Sequence, residues 1–276
     1  MDIRDVSSSL QPSPDGIWHA ARQEPISYPD DGHAACLQIE DRSFWFRHRN
    51  DCIAAMVRRN PPPPGMLLDI GGGNGFVAQR LQAEGRDVVL LEPSPVGAAN
   101  AKARLGPAHV ACATLEEARF KPESFAAFGM FDVIEHIEDE SGFLRTATRL
   151  LPAGGMAYFT VPCHPWLWSH ADVLSGHYRR HTLATLRTLL ADEYEIAYMS
   201  HYFGPLLLPQ WLLRALPHRL GFRRRKGVLG AESEHGTSGG AATRALSRLL
   251  ASEVDNVLAG RAMRFGASAL VAARKR

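Results

Sequence analysis

Three things are scarce in this chain: long apolar runs, charge of a single sign, and paired cysteines. The most apolar stretch, residues 202–216, is interrupted by Pro205, Pro209 and Arg214, and falls short of the ~20 residues a spanning helix needs. Stable membrane insertion is therefore not expected. With 31 Lys and Arg against 29 Asp and Glu, the net charge is +2, so no field advertises a nucleic-acid partner. The basic run at residues 223–226, RRRK, has no interleaved aromatics and reads as a solvated charge run. Four cysteines, Cys36, Cys52, Cys112 and Cys163, are scattered without a CxxC pair, which suits reduced cytoplasmic usage. Residues 1–16 carry acids, Ser and Pro but no apolar signal-type core, so a cytoplasmic location is expected.

What is present is a pattern. At 276 residues and 45% hydrophobic composition, one full α/β domain with an accessory element is the natural size. Residues up to about 40 are polar and weakly periodic, and read as irregular. The segment SFWFRHRNDCIAAMV then puts Trp45, Arg49, Cys52, Ile53 and Met56 on one helical face, before PPPPG at residues 61–65 stops it. From Met66, short apolar strands (MLLDI, DVVLLE, HVACA, FGMFDVI, MAYFTVP, YEIAYMSHYF) alternate with amphipathic helices, and GASALVAARK closes the chain as a last strand. Continuous apolar strands between helices imply an α/β, doubly wound, mostly parallel sheet covered on both faces. The divisions are residues 1–60 as an N-terminal arm and helical cap, 61–200 as the core, and 201–276 as a lid insertion plus the final strand. Residues 223–240 have the composition of a mobile loop. The run PLLLPQWLLRAL has three readings, a hydrophobic roof over an acceptor, a homodimer surface or a membrane-touching patch, of which the roof is favoured.

LLDIGGGNGF carries the most information. A strand ending in Asp69 runs into Gly71, Gly73 and Gly75, so a ligand can lie against bare backbone. The following strand ends in Glu92, 17 residues after Gly75, where a carboxylate can accept both hydroxyls of a ribose. Counted from Gly71, the third position of a G-x-G-x-x-G fingerprint is Phe76; counted from Gly73 it is Ala78, a relaxed form only. No Walker-type Lys–Ser/Thr follows. Asp69 before the turn suits an amino group better than a phosphate, which it would repel.

Together, DIGGGNG, Glu92, FDVIEHIED and LLPAGGMAYFTVP resemble the S-adenosylmethionine-dependent methyltransferases with the Rossmann-like fold. FWFRHRN, GHYRRHT and FGASALVAARK are similar to a bacterial branch acting on small molecules, in which Tyr commonly stands at the position of His181 and Cys at that of Gly72. The resemblance implies a seven-stranded sheet, S-adenosyl-L-methionine as cofactor and a small-molecule methyl acceptor. By position it implies that Asp69, Gly71 and Gly73 line the methionine and ribose, and that Glu92 holds the ribose. Thr114 and Leu115 would border the adenine, and Phe131, Asp132 and Val133 would pass beneath the sulfonium.

A methyl group on a sulfonium needs alignment, exclusion of water and, for a protonated acceptor, a base. Candidates at strand ends are Glu135, His136 and His164, with His164 preferred; as alternatives, Glu135 and His136 pin a turn, and His164 is a solvated loop residue. Arg49 is a polar guest on an apolar face, able to reach the cofactor carboxylate while Trp45 covers the site, or to snorkel at an edge. In HADVLSGHYRRHT, residues 170–182, the residues His170, His177, Tyr178, Arg179 and Arg180 are expected to clamp the acceptor or brace its pocket, with Thr182 capping the next helix. Their spacing matches no regular metal pattern, so no metal is expected. Competing functions are a nicotinamide-dependent oxidoreductase, which NAD(P) binding would reveal, and a non-catalytic S-adenosylmethionine-binding protein, which would bind without transferring methyl.

Overall fold

The computed structural model describes residues 3–21, 30–106, 109–222 and 241–276. Strands β3 (Leu67–Ile70), β4 (Val88–Leu91), β5 (His109–Cys112), β6 (Ala127–Phe131) and β7 (Met156–Pro162) run parallel; β9 (Ser268–Lys275) inserts antiparallel between β7 and β8 (Tyr194–Tyr202). Two short strands, β1 (Gln11–Pro12) and β2 (Trp18–His19), extend the edge beyond β5, giving the order β1-β2-β5-β4-β3-β6-β7-β9-β8. The expected seven strands are thus joined by a two-strand edge from the N-terminal arm. That arm is more ordered than its polar composition suggests, because Trp18 and His19 pair with Ala111 and Cys112 and complete backbone bonding at an exposed edge.

Strand alternation sorts the core into two layers. Leu68, Ile70, Val89 and Phe128 pack with Leu144 and Ala147 of α7 (Glu140–Thr148) and with Leu186 and Leu190 of α9 (Leu183–Leu190). Leu67, Val88 and Leu90 face the opposite way, against α3 (Phe44–Arg59), α4 (Phe76–Ala83) and α5 (Pro95–Leu105). Helix α12 (Ala241–Leu258) packs on α3 through Leu250 and Val257. The remaining α-helices among the described residues are α1 (Ile3–Val6), α2 (Asp30–Ile39), α6 (Leu115–Ala118), α8 (His170–Leu174), α10 (Leu207–Gln210) and α11 (Leu216–Arg219), the last two joined by a π-helical turn, Trp211–Ala215.

Two local readings are corrected. The run FGMFDVI is not strand throughout: β6 stops at Phe131, Asp132 takes φ 60°, and Ile134–His136 form a 3-10 turn. Ile134 is apolar because the turn itself is buried. The stretch 170–182 is not a simple loop, since Ser169 and Asp172 make a capping box that starts α8. Thr182 caps α9, its hydroxyl accepting from the Thr185 amide. The expected loop 223–240, with its RRRK run, lies outside the described residues. Among the described residues no helix is long and apolar enough to cross a membrane.

Candidate active site

Strand order reverses beside β3, with β4 on one side and β6 on the other. Loops leaving the carboxyl ends of adjacent strands then diverge and open a crevice. A cavity of about 910 Å³ lies there. Trp45, Arg49, Asp69, Gly71, Gly73, Glu92, Thr114, Leu115, Phe131, Asp132 and Val133 all line it, as do Glu135, His136, His177 and Arg180. Leu206, Pro209, Gln210 and Leu213 line it as well, so the apolar segment after β8 forms part of its wall.

At one end is the glycine turn. Gly71 and Gly73 have φ of 69° and 55°, left-handed values that favour residues without Cβ. Val133 stands 2.9 Å from where a Cβ on Gly71 would lie. Asp69 is buried, and neither carboxylate oxygen has a hydrogen-bond partner among the described residues. Burial raises this carboxyl from 3.8 to about 7; Arg49 opposes the shift and Glu92 adds to it. An unpartnered buried carboxylate beside a bare-backbone cradle fits the ammonium of an amino-acid ligand.

Glu92 sits at the next strand end. Its Oε1 accepts from the Ser94 amide and its Oε2 from the Gly73 amide, both at 2.8 Å. Burial lifts it to about 7 against those two bonds. His33 of α2 lies 3.6 Å from Glu92 Oε1. Asn74 donates to the His33 carbonyl at 2.9 Å and to Glu40 at 3.0 Å, which ties the N-terminal arm to the glycine turn. These arm residues were missed in the sequence because they lie in a stretch without periodicity; the only signal was a histidine and an acid shortly before α3.

Arg49 crosses the middle of the cavity wall, where its Nε donates to Asp132 and its Nη2 to the Phe131 carbonyl at 2.7 Å. This explains a buried arginine on an apolar helix face: it pins the turn after β6, in which Asp132 has positive φ.

The other end is polar. Glu135 is fully buried, its carboxyl pushed well above the ordinary range by burial and by Asp132. Burial, and secondarily His177, lowers His136 to about 4. The two imidazoles meet edge to face with centroids 4.6 Å apart. Asp172, not anticipated as a site residue, organises this end. It accepts from His177 Nδ1 at 3.0 Å, from Arg180 Nε at 2.7 Å and from the Ser169 amide at 2.8 Å. Burial pushes this carboxyl up, but the bond to His177 and the Arg180 charge prevail and hold it below the usual range.

Several expected residues stand elsewhere. His164 does not line the cavity; its Nε2 bonds the Gly266 carbonyl at 3.0 Å and its ring stacks on His201, because φ of 65° turns it toward β9's entry. His170 stacks near His218, and Tyr178 is half exposed. Arg179 holds the carbonyls of Ile137 and Glu138 and pairs with Glu140 at 3.0 Å, acting as a brace. His181 lies 3.2 Å from the same Glu140, joining the start of α9 to α7.

The chain belongs to the methyltransferase-domain family, whose model matches residues 44–216. Over 180 residues it is 23% identical to a Mycobacterium tuberculosis (H37Rv) protein named "Probable S-adenosylmethionine-dependent methyltransferase", a match covering 64% of this chain and 65% of that one. It is 28% identical over 172 residues to a ubiquinone biosynthesis O-methyltransferase of Nitrobacter winogradskyi, covering 59% of each. Among solved structures, a geranyl diphosphate C-methyltransferase of Streptomyces coelicolor superposes with TM-score 0.53 at 15% identity, covering 80% and 77% of the two chains. Phosphoethanolamine N-methyltransferase 2 of Haemonchus contortus gives 0.51 at 22% identity, covering 82% and 52%. These structural likenesses establish the mixed α/β methyltransferase fold.

Proposed function

We propose that this protein transfers a methyl group from S-adenosyl-L-methionine to a small-molecule acceptor. The observation that carries the reading is the unpartnered, buried Asp69 carboxylate beside the glycine turn, in one cavity with Glu92 and the polar cluster around Glu135. Asp69 would take the ammonium of the methionine part, and Gly71 and Gly73 would let it lie against backbone. Glu92 is held by two backbone amides with lone pairs to spare for ribose hydroxyls. Thr114 and Leu115 would border the adenine. The cofactor supplies a carbon already activated by its sulfonium, so the protein's share is alignment and exclusion of water. Leu206, Pro209 and Leu213 supply an apolar wall. Glu135, His136, His177 and Arg180 line the same cavity, and are proposed to bind the acceptor.

Calorimetry with S-adenosylhomocysteine tests the cofactor half, with Glu92→Ala expected to weaken binding. Unchanged affinity in that variant would reject the ribose assignment. Transfer of labelled methyl into a cell extract, followed by mass spectrometry, tests the acceptor half. Label appearing only in macromolecules would reject a small-molecule acceptor.

A further inference from the structure

Glu135, His136 and His177 each offer one ligand atom, and these atoms lie within 4.8 Å of one another on the acceptor wall. Glu135 is 1% exposed, and neither carboxylate oxygen has a hydrogen-bond partner among the described residues. A buried carboxylate without partners costs several kcal/mol in its ionised form, so it either holds a proton or meets a cation. The neighbouring charges offset this only in part: Arg49 and Arg180 both favour the ionised form of Glu135, but their hydrogen bonds go to Asp132 and Asp172, and burial prevails.

Both imidazoles are already oriented. His177 Nδ1 is bonded to Asp172, which leaves the lone pair on Nε2. His136 makes a hydrogen bond to the Ser175 backbone. A histidine whose second ring nitrogen is fixed by a carboxylate or a carbonyl is the usual outer arrangement of a metal ligand. The other such cluster among the described residues, His48, Cys52 and Glu253, differs: Glu253 is filled by His48 and by the amides of Phe203 and Gly204. That group is a latch between α3, α12 and the loop after β8.

We propose that Glu135, His136 and His177 form a binding site for one divalent transition-metal ion, such as Zn²⁺ or Co²⁺, which holds a hydroxyl or phenol oxygen of the acceptor. Two imidazoles and one carboxylate suit these ions better than Mg²⁺. Bonds of ~2.0–2.2 Å need ligand atoms ~3.3 Å apart, so the side chains must close by rotation on binding. The inference deepens the methyl-transfer reading and rests on it for its chemistry. The bound oxygen loses its proton to water, its lone pair forms the O–CH3 bond, and the C–S bond breaks with its electron pair going to sulfur.

Untagged protein stripped with chelator and titrated with Co²⁺ tests the site through the visible d–d absorption of bound cobalt. One Co²⁺ per chain is expected, lost in Glu135→Gln and His177→Gln, and on the order of tenfold weaker in Asp172→Asn. His164→Gln should bind as the parent does. S-adenosylhomocysteine affinity, measured in parallel, should persist in the variants and shows that they are folded. Parent protein that binds S-adenosylhomocysteine but no Co²⁺, or Co²⁺ binding that survives both His177→Gln and Glu135→Gln, overturns the proposal. A parent protein that does not bind S-adenosylhomocysteine would instead overturn the methyl-transfer reading and leave the metal result standing.

Discussion

Asp69 and Glu92 are carboxyls raised to about 7 by burial, and both are proposed to meet ligand groups that favour the ionised form. Cofactor affinity should therefore depend on pH in a range where ordinary carboxylates are fully ionised. For one group at about 7 in the free protein and far lower in the complex, the ionised fraction falls about tenfold from pH 8 to pH 6, and affinity falls with it. Two such groups together approach about a hundredfold. The sign follows from the direction of the shift: protonation stabilises the free protein and competes with the ligand, so binding strengthens as pH rises through 7. The value for Asp69 is already net of the opposing Arg49 charge, and that for Glu92 is net of its two amide bonds. Calorimetry with S-adenosylhomocysteine from pH 6 to 8 is the assay. Asp69→Asn should bind more weakly at pH 8 and lose about one decade of the pH dependence. A flat parent profile, or an unchanged slope in Asp69→Asn, would refute the assignment of these two carboxylates.

Three further outcomes are expected. Asp172→Asn leaves the buried Arg180 guanidinium without its carboxylate and should cost on the order of 3–5 kcal/mol in urea unfolding; a loss under about 1 kcal/mol would show that the pair is dispensable. Glu253→Ala strands the amides of Phe203 and Gly204 and the His48 ring, so a loss of about 2–4 kcal/mol should appear as a lower urea midpoint, and an unchanged midpoint contradicts the latch. Gly72→Cys, the residue common in the resembling branch, puts a Cβ 2.6 Å from Leu90; it should cost about 1–3 kcal/mol and be partly rescued by Leu90→Val, and equal stability of the single and double variants would disprove the clash.

The half of the cavity proposed for the cofactor was readable as a cradle because its shape resides in backbone. Glycines at fixed offsets from a strand end, followed by an acid at the next strand end, place their atoms almost irrespective of side-chain packing. The half proposed for the acceptor was readable only as a neighbourhood. Within residues 170–182, the sequence could not distinguish His177, which faces the cavity, from His170 and Tyr178, which do not. That choice depends on α8, a helix of five residues started by one buried aspartate, too short to leave a periodic signal. His164 is the clearest instance: a strand-end histidine in the expected place, turned aside by one left-handed backbone angle. The arm failed for the opposite reason, since its strands are two residues long and exist only because β5 offers them an edge.

The position of β9 bears on the order of assembly. β8 meets the rest of the sheet only through β9, so during synthesis it must wait, unpaired along that edge, until residues 268–275 leave the ribosome. The parallel strands from β3 to β7 can pair before then, whereas the wall built from residues 206–213 cannot settle until β8 is fixed. Chains halted between β8 and β9 should therefore hold an organised glycine turn beneath an unclosed cavity, with an apolar strand edge available to chaperones or to other chains.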